Sequence, residues 1–462
     1  MSAAPVVTRF APSPTGELHL GNARVALFNA LLARRDHGAF LLRIEDTDAA
    51  RSRPEHVAQL QADLRWLGLP WNGEPVHQSQ RSEIYAGLLA QLEETGHAYP
   101  CFCGARELEL ARAARLAAGL PPRYSGHCRA LSPEQRRQRR AAGESATLRF
   151  AVPETGTVEF IDLVHGARYF ACADIGDFVL RRADGSASFF FTNAVDDALT
   201  GVTHVLRGDD HLANTPRQLL VLSALHLPAP RYGHLALITG DDGAPLSKRS
   251  GAAGLRALRE AGLLPEAITN HLFRLGHSTT VSGLLSLEQM ADLFDTTHLQ
   301  RSPAHFQMAQ LLGWQREAVH RLDHARAADW LGSRLPATLD DAQRQRFVAA
   351  VLQNLVLPDD VLPWVEIVFG PDPPLDAEAA AAVAAADRGL FAAAAAAASG
   401  AAEGSDFAAI SMAARTATGL RGPALFKPLR AALTGRLAGP ELGPLLRAMP
   451  EGSARQRLAR FA

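Results

Sequence analysis

Two short segments carry residue types that suit chemistry on a nucleotide. Residues 9–22 read RFAPSPTGELHLGN, and residues 246–249 read LSKR. In the first segment His19 could donate to phosphate oxygens and Gly21 would let the backbone approach the ligand, while the helix that follows offers unpaired N–H groups to anions. In the second segment Lys248 lies on a loop of small residues that could close on a triphosphate as charge develops. The two segments together predict a nucleotide site in which these three residues take part in catalysis.

The elements around the first segment follow the order strand, loop, helix, strand. Val6 to Phe10 is a short apolar strand, Asn22 to Arg35 has apolar residues at helical spacing, and Phe40 to Ile44 is the next strand. Gly38 lies where the helix C-cap is expected. This order is a βαβ unit, so we expect a parallel sheet with ligands at the carboxyl ends of its strands. Further helices are predicted from Pro54 to about Leu67, from Ser82 to Gly96 and from Pro216 to Leu225.

A different pattern occupies residues 101–190. This stretch holds the cysteines, a helix start at Ser132-Pro133, and several β-like runs. An Asp184-Gly185 pair between DFVLRR and SFFF predicts a β-hairpin. We interpret the stretch as an α+β insertion between two halves of the sheet domain, which resumes at GVTHVLRGDDHL.

The second half of the chain shows almost only helical patterns from Ala252 onward. Ser286 and Gln289 predict a capping box, and Ser302-Pro303 predicts a further helix start. Residues 239–251 are rich in glycine and predict an exposed, flexible loop.

The composition is that of a globular protein that works in a reducing compartment. At 462 residues the chain needs two or three domains, and 47% hydrophobic with 21% charged residues is typical of soluble proteins. Four cysteines do not make a disulfide framework, and residues 1–8 lack a signal peptide, so we predict a cytoplasmic protein. Charged residues interrupt the alanine-rich residues 377–402, which favours helix over a membrane span. The net charge of −1 argues neither for nor against nucleic-acid binding, because such binding depends on local basic clusters such as the arginines of residues 129–140.

Three cysteines offer a metal site within the insertion. Cys101, Cys103 and Cys128 could supply thiolates, and zinc favours tetrahedral sets of four ligands. From the residues alone the fourth ligand is Tyr124 or His127, or is absent. The alternative is a metal-free loop with reduced thiols. Cys172, in an apolar run, is predicted to be an ordinary core residue.

The two opening segments resemble the HIGH and KMSKS signatures of class I aminoacyl-tRNA synthetases. The longer context RFAPSPTGELHLGNARVALFN, followed by LLRIEDTD, resembles glutamyl-tRNA synthetase in particular. The resemblance is dense from Val6 to about His277, thins in the helical half and returns over Pro428 to Gly435. One departure is Pro245, where many family members carry lysine, although the matching Lys248 is retained.

The resemblance implies specific ligands for each substrate. Arg9 and Arg207 would face carboxylates of glutamate, where planar bidentate pairing is favoured, and Glu45 and Ser13 would face its ammonium. Phe189 stands where some relatives have tyrosine and His211 where others have tryptophan. The implied glutamate-binding set is Arg9, Ala11, Ser13, Glu45, Phe189, Asn193, Arg207 and His211. The implied ATP-binding set is Pro12, Thr15, Gly16, His19, Gly21, Asn22, Ser247, Lys248 and Arg249. A zinc set of three cysteines and one tyrosine is known among relatives, which favours Cys101, Cys103, Tyr124 and Cys128, because Ala130 stands where others have a histidine ligand.

The fold class implied is α/β, with a Rossmann-like parallel-sheet catalytic domain, an α+β insertion and an all-α C-terminal anticodon-binding region. The catalytic domain would comprise residues 1–100 and 191–240, with an acceptor-stem-binding insertion at residues 101–190. The remaining domains would be a KMSKS-loop and stem-contact domain at residues 241–315, and two anticodon-binding helical subdomains at residues 316–370 and 371–462.

The implied activity is ATP-dependent, Mg²⁺-assisted activation of L-glutamate and its transfer to the 3′ end of tRNA(Glu), by a monomer that has no membrane partner. Three alternatives remain at this point. They are a truncated relative that attaches glutamate to a modified tRNA base, a non-catalytic RNA-binding paralogue, and a small-molecule nucleotidylyltransferase. The helical half after Trp314 argues against the first alternative, and retention of His19, Gly21 and Lys248 argues against the second.

One position bears on which tRNA is accepted. Strict readers of the glutamate anticodon in the family carry arginine at a position that aligns with Asn354 here. The resemblance therefore predicts a tolerant enzyme that charges tRNA(Gln) as well as tRNA(Glu).

Overall fold

The computed structural model describes residues 5–48, 51–240, 243, 246, 254–398 and 406–462. The chain forms two compact units, and the first carries the candidate site. The first unit comprises Met1–Ala257 with Ile268–Met308, and the second comprises Leu258–Ala267 with Ala309–Ala462.

Strands and helices alternate through the first three hundred residues, as expected for an α/β fold. In chain order they are β1 (Val7–Phe10), α1 (Leu20–Arg35), β2 (Ala39–Ile44), α2 (Pro54–Trp66), β3 (Val76–His77), α3 (Ser82–Glu94), β4 (Ala98–Cys101), α4 (Ala105–Ala117), α5 (Pro133–Ala141), β5 (Thr147–Phe150), β6 (Thr157–Asp162), β7 (Gly166–Ala171), α6 (Cys172–Ile175), β8 (Phe178–Arg181), α7 (Phe189–Leu199), β9 (His204–Gly208), α8 (Thr215–Ala224), β10 (Arg231–Leu235), β11 (Ile238–Thr239), α9 (Leu255–Glu260), α10 (Pro265–Arg274), α11 (Leu287–Leu293) and β12 (Ala304–His305).

Beyond β12 all regular elements among the described residues are helices. The helices are α12 (Met308–His320), α13 (His324–Leu331), α14 (Asp341–Val351), α15 (Leu362–Phe369), α16 (Ala377–Ala384), α17 (Arg388–Ala397), α18 (Phe407–Thr418), α19 (Pro423–Thr434), α20 (Leu442–Ala448) and α21 (Ser453–Ala459). No single helix among the described residues is long and apolar enough to cross a membrane. Two pairs of neighbouring helices have the length and composition only when taken together, and these pairs are bent by 114° and 98°.

The predicted βαβ opening is confirmed. Strand β2 pairs in parallel with both β1 and β3, and β9 pairs in parallel with β10. The two parallel sets meet where the Thr203 N–H donates to the Val7 carbonyl at 2.8 Å and the Val7 N–H donates to Thr203 Oγ1 at 2.8 Å. Because these contacts join the starts of β1 and β9, the carboxyl ends of the four longer strands meet at one edge, where ligands bind in such sheets.

Gly38 has a different role from the one predicted. Helix α1 is capped by Asp36, and the left-handed conformation that follows belongs to His37, with a φ of 50°. A Cβ on Gly38 would lie 1.8 Å from the Val6 carbonyl oxygen, so glycine is required by the close approach of β1. The C-cap prediction was therefore wrong by two residues.

Two small antiparallel sheets lie within and beside residues 101–190, the stretch predicted to be an insertion. Strands β4, β5 and β8 form one, and β6 and β7 form the other. The helix start predicted at Ser132-Pro133 is confirmed, and Ser132 forms a capping box with Gln135 there. Cys172 is buried in a hydrophobic core, as predicted.

The predicted hairpin is only half present. Arg181 and Ala187 form an antiparallel bridge around the Asp184-Gly185 turn, but the SFFF run begins helix α7 and makes no second strand. In the helix Phe191 is fully buried beside Tyr85, with ring centroids 6.1 Å apart. Packing on one face of a helix therefore outweighs the β propensity of the aromatic run.

Ser286 and Gln289 form the predicted capping box, but Ser302-Pro303 does not begin a helix. The residues after the proline form β12, which pairs in parallel with β11. The Ala304 N–H donates to the Leu237 carbonyl at 3.1 Å, and the Phe306 N–H donates to the Thr239 carbonyl at 2.9 Å. Because these residues form sheet hydrogen bonds, the helix begins only at Met308.

Candidate active site

A cavity of about 240 Å³ opens at the carboxyl ends of β1, β2, β9 and β10. The sequence-predicted residues among those lining it are Arg9, Ala11, Pro12, His19, Gly21, Asn22, Glu45, Phe189, Asn193, Arg207 and His211. Segments separated by almost two hundred residues in sequence thus surround one space. Residues assigned separately to a nucleotide and to an amino acid share it, which suits a reaction that joins the two.

His19 is the N-cap of α1. Its Nδ1 accepts the backbone N–H of Asn22 at 3.3 Å, so the neutral ring carries its proton on Nε2. A Cβ on Gly21 would lie 2.9 Å from both Nδ1 and Cε1 of this ring, so glycine is required for the ring to lie over the first turn. The helix terminus and the imidazole together present hydrogen-bond donors to an anion.

Four buried charges form a cluster at the cavity, and two of them, Arg9 and Glu45, line it. Arg9 chelates Asp197, with Nε at 3.1 Å and Nη2 at 3.3 Å from its two carboxylate oxygens. Arg43 lies between Asp197 and Glu45, donating to both, and its Nη2 is 3.2 Å from Glu45 Oε1. Asn193 donates to the same Oε1 at 2.7 Å. The cluster therefore holds two cations against two anions.

The shifts in pKa follow from this arrangement. Burial raises the pKa of Asp197, but the charges of Arg43 and Arg9 outweigh it and hold the pKa below its ordinary value. Burial also raises the pKa of Glu45, and here the opposing effects of Arg43 and Asn193 are too weak to cancel it. The negative charge of Glu45 is therefore less fully balanced than that of Asp197, and the ammonium of a ligand would supply the missing positive charge.

Arg207 also lines the cavity, in a different setting. It is 5% exposed, and its guanidinium bonds to Thr215 Oγ1 and Gln218 Oε1 at 2.7 Å each and to His234 Nε2 at 3.2 Å. A longer contact of 3.4 Å joins its Nη1 to Asn193 Oδ1. These hydrogen-bond partners are all uncharged. Burial lowers the pKa of Arg207 to about 10, so the group remains charged at neutral pH and has no carboxylate among these partners.

A second buried guanidinium adds to the positive charge. Arg24 lines the cavity and donates to the backbone carbonyls of Leu275, at 2.9 Å, and Ala236. Burial lowers its pKa to about 10. Together with Arg207 it gives the cavity a positive surplus that favours anionic ligands.

Phe189 and His211 line the cavity as a pair, and their ring centroids lie 5.4 Å apart. Burial lowers the pKa of His211 to about 4, so its ring is neutral at pH 7. The pair therefore contributes a flat, uncharged surface, and the cationic character of the cavity comes from the arginines.

Some predicted residues lie outside this cavity. Ser13 and Thr15 line an adjoining polar cavity of about 550 Å³, which shares Glu45 and Phe189 with the first. Gly16 lines neither of the two. Pro245, Ser247, Lys248 and Arg249 lie outside the described residues. Asn354 is exposed at the end of a 3-10 helix in the second unit.

The cysteines predicted to bind metal lie together. The sulfur atoms of Cys101, Cys103 and Cys128 are within 4.8 Å of one another, and the Cys103 and Cys128 sulfurs are 3.6 Å apart. Tyr124 Oη lies 3.3 Å from the Cys101 sulfur and 3.4 Å from that of Cys103. His127 is exposed and is not part of the group. Burial raises the pKa of the Cys103 thiol to about 12.

The basic cluster after the cysteines is tied into the protein. Arg136 donates to the Arg129 carbonyl at 2.9 Å, and Arg139 donates to Glu144 at 2.9 Å. Arg140 pairs with Glu93, and Arg137 pairs with Glu134. Much of the positive charge of α5 is therefore balanced locally.

Sequence reasoning missed several residues of the site. These are Arg24, Arg43, Asp162, Asp197, Thr215, Gln218 and His234. The available signal was polarity within apolar segments, as in Asp197 within FFFTNAVDDAL and His234 within YGHLALI. Such residues are buried only when they have partners, which points to a network but does not identify those partners.

Comparison with known proteins identifies the family. The sequence profile described as tRNA synthetases class I (E and Q), catalytic domain, matches residues 5–313. A protein of Alkalilimnicola ehrlichii named glutamate–tRNA ligase 2 is 54% identical, across 99% of this chain and 98% of its own. The chain belongs to the glutamyl-tRNA synthetases. A glutamate–tRNA ligase 2 of Nitrosococcus oceani is 52% identical over the same shares.

The fold agrees with this assignment. A crystal structure of a glutamate tRNA ligase from Elizabethkingia meningosepticum, solved in complex with its amino acid, superposes with a TM-score of 0.89 and 26% identity, covering 99% of each chain. The α/β class with a Rossmann-like sheet and a helical C-terminal half is thereby confirmed. Because relatives named as ligases match along nearly their whole length, the three alternatives raised from sequence are not favoured.

Proposed function

We propose that this enzyme activates L-glutamate with ATP in the cavity at the strand ends and transfers the glutamyl group to the 3′ end of tRNA(Glu). The observation that carries the proposal is Arg207, a buried and charged guanidinium whose hydrogen-bond partners are neutral. A buried cation in such a setting is costly unless a ligand anion completes it. A carboxylate of glutamate matches its planar geometry.

The charges around the cavity suggest how glutamate is held. We place a substrate carboxylate on Arg207 and the ammonium near Glu45, whose raised pKa reflects incomplete compensation. Arg9 keeps its chelation of Asp197 and contributes charge to the wall. The carboxylate that reacts then points toward His19, where the α-phosphate of ATP would lie.

The nucleotide site would be formed by Pro12, His19, Gly21 and Asn22 from the first unit, with Thr15, Gly16, Ser247, Lys248 and Arg249 assigned from the sequence. ATP enters as its Mg²⁺ complex. The glutamate carboxylate oxygen attacks the α-phosphorus and pyrophosphate leaves, giving glutamyl-adenylate. A hydroxyl of the terminal tRNA ribose then attacks the acyl carbon, and AMP leaves. The protein's task is to position reactants and to stabilise phosphate charge.

The test is glutamate-dependent exchange of labelled pyrophosphate into ATP, measured with and without tRNA(Glu). We expect exchange that depends on glutamate and is lost with glutamine or aspartate as the amino acid. Lys248→Ala should slow exchange while glutamate binding, measured by calorimetry, is retained. Exchange that proceeds without any amino acid, or that prefers another one, would refute the proposal.

The range of tRNA substrates is a separate proposal. Asn354 is exposed and lacks the guanidinium that strict relatives carry, so we propose that tRNA(Gln) is charged as well. Charging of purified tRNA(Glu) and tRNA(Gln) should give glutamate attached to both, and Asn354→Arg should lower charging of tRNA(Gln) while leaving tRNA(Glu) nearly unchanged. Wild-type enzyme that leaves tRNA(Gln) uncharged would refute it. We further propose a monomer that acts in the cytoplasm.

The cysteine cluster fits zinc by geometry. Tetrahedral zinc with Zn–S bonds of about 2.3 Å and a Zn–O bond of about 2.0 Å requires S···S distances near 3.8 Å and S···O distances near 3.5 Å. Here the Cys103 and Cys128 sulfurs are 3.6 Å apart, Tyr124 Oη lies 3.3 and 3.4 Å from the sulfurs of Cys101 and Cys103, and all three sulfurs lie within 4.8 Å of one another. We propose that Cys101, Cys103, Tyr124 and Cys128 hold a structural zinc ion that shapes the insertion.

Purified protein is expected to contain about one zinc ion per chain by elemental analysis. Tyr124→Phe should lower zinc affinity by roughly 10- to 100-fold, since a ligand and its contacts are lost, and should lower the melting temperature of the insertion. The matched control is Cys172→Ala, which removes a buried thiol outside the cluster and should retain zinc. Protein whose metal content is zero after growth with added zinc would contradict the proposal.

A further inference from the structure

A buried chain of polar groups joins the insertion to the candidate active site. Asp162, the last residue of β6, has its Oδ2 2.5 Å from His234 Nδ1, and both side chains are fully buried. The other ring nitrogen, Nε2, lies 3.2 Å from Nε of Arg207. The order of contacts is thus Asp162, His234, Arg207 and then the cavity.

The hydrogen bonds determine which tautomer His234 adopts. Nε of Arg207 carries one hydrogen and can only donate, so His234 Nε2 must accept and the ring proton must lie on Nδ1, donated to Asp162. Thr215 Oγ1 lies 3.0 Å from the same Nε2 and accepts from Arg207 Nη2 at 2.7 Å. The opposite tautomer would set an N–H of the ring against the N–H of the guanidinium.

The carboxylate of Asp162 is held by the backbone. Its Oδ1 accepts the N–H groups of Val164 and His165 at 2.9 and 2.8 Å, which leaves Oδ2 for the imidazole. The turn is joined to β10 by a bond of 2.8 Å from the Leu163 N–H to the Tyr232 carbonyl. Oδ1 therefore serves the turn, with a longer bond of 3.4 Å from the His234 backbone N–H, and Oδ2 serves the His234 ring.

Two edges of the Arg207 guanidinium are engaged by this network. Nε bonds to His234, and Nη2 bonds to Thr215 and Gln218 at 2.7 Å each. Nη1 has two hydrogens, and its hydrogen bond among the described residues is the long one of 3.4 Å to Asn193. The edge that carries Nη1 is the part of the group available to a carboxylate in the cavity.

We propose that Asp162 is a positioning residue for glutamate recognition, and that it acts by fixing the Nδ1–H tautomer of His234, which orients Arg207. This inference rests on the proposed function, since it requires Arg207 to bind the substrate carboxylate. It makes a residue of the insertion part of amino-acid recognition in the sheet domain.

The test is Asp162→Asn. The amide oxygen can replace Oδ1 in the turn, while the amide N–H₂ replaces Oδ2 and donates to Nδ1 of His234. The ring proton must then move to Nε2, where it opposes Arg207. We expect KM for glutamate in pyrophosphate exchange to rise about tenfold or more, with kcat and KM for ATP changed much less, because a hydrogen bond to a charged group is lost.

The control variant is His165→Gln, in the same turn. His165 bonds to Asp209 at 3.0 Å and takes no part in the contacts of Arg207, so KM for glutamate should stay unchanged. Nitrogen-15 spectra of histidine-labelled protein, assigned with His234→Gln, should show the Nδ1–H tautomer in the wild type and Nε2–H in Asp162→Asn. A wild-type Nε2–H tautomer would overturn the inference without any kinetic measurement.

A double-mutant cycle separates positioning from a structural role. In an Arg207→Ala enzyme, Asp162→Asn should cause no further rise in KM for glutamate. An equal rise in both backgrounds, or an unchanged KM in the single variant, would overturn the inference and leave the proposed function standing. If Arg207→Ala itself left KM for glutamate unchanged, the assignment of the glutamate site would fail instead.

Discussion

Replacing Arg207 by alanine is expected to lower kcat/KM for glutamate by about 10³-fold, equivalent to roughly 4 kcal/mol of transition-state stabilisation. The guanidinium is buried and remains charged, and its neutral partners hold it without satisfying its charge. The substrate carboxylate would form the ion pair that completes it. The variant would leave that carboxylate to be desolvated without a partner, which is why the loss should exceed that of an ordinary hydrogen bond.

The measurement is pyrophosphate exchange as a function of glutamate and of ATP. Most of the loss should appear in KM for glutamate, whereas KM for ATP should change little. Arg207→Lys is the informative comparison, since it keeps the charge but not the planar pair of donors, and should retain intermediate activity. An alanine variant whose KM for ATP rose as much as that for glutamate would point to collapse of the whole cavity.

Replacing Asp197 by alanine is expected to destabilise the first unit by about 3 to 5 kcal/mol. Its side chain is fully buried, and it neutralises both Arg9, at 3.1 Å, and Arg43. Without it, two guanidinium groups remain in a buried site with Glu45 as their nearby anion. The cost of burying the two arginines would remain, but the attraction to Asp197 that offset this cost would be lost.

Differential scanning calorimetry should show a melting temperature lower by about 10 °C for the transition that includes the parallel sheet. The matched control is Asp174→Ala, which breaks the ion pair with Arg123 at a side chain that is 74% exposed and should cause little change. A melting temperature of Asp197→Ala as close to that of the wild type as that of Asp174→Ala would contradict the prediction.

The same cluster predicts how stability depends on pH. The pKa of Asp197 is lowered, since Arg43 and Arg9 outweigh the effect of burial. Its stabilising contribution is therefore fully present above the ordinary aspartate pKa of about 3.9 and is lost as the pH falls through the lower folded-state value. The difference in melting temperature between wild type and Asp197→Ala should accordingly narrow below about pH 4.

Local patterns predicted the opening βαβ unit and the capped helices, because the relevant contacts lie within a few residues. Ser132 and Ser286 cap helices whose partners are three residues away. The two errors at SFFF and at Ser302-Pro303 share a cause. In each case a segment distant in sequence, Tyr85 in one and β11 in the other, decided the conformation.

The sequence by itself determined the opening order of strand, helix and strand, which follows from residue type and short spacing. Its resemblance to the glutamyl-tRNA synthetases indicated the family and implied the residues that we predict to face the substrates. Only the tertiary structure decided that Arg9 is chelated by Asp197, and that Arg207 is held through His234 by Asp162. The partners in these contacts lie 188, 27 and 72 residues apart along the chain. Burial is the physical reason, because a charge removed from water must find its partners wherever the fold brings them.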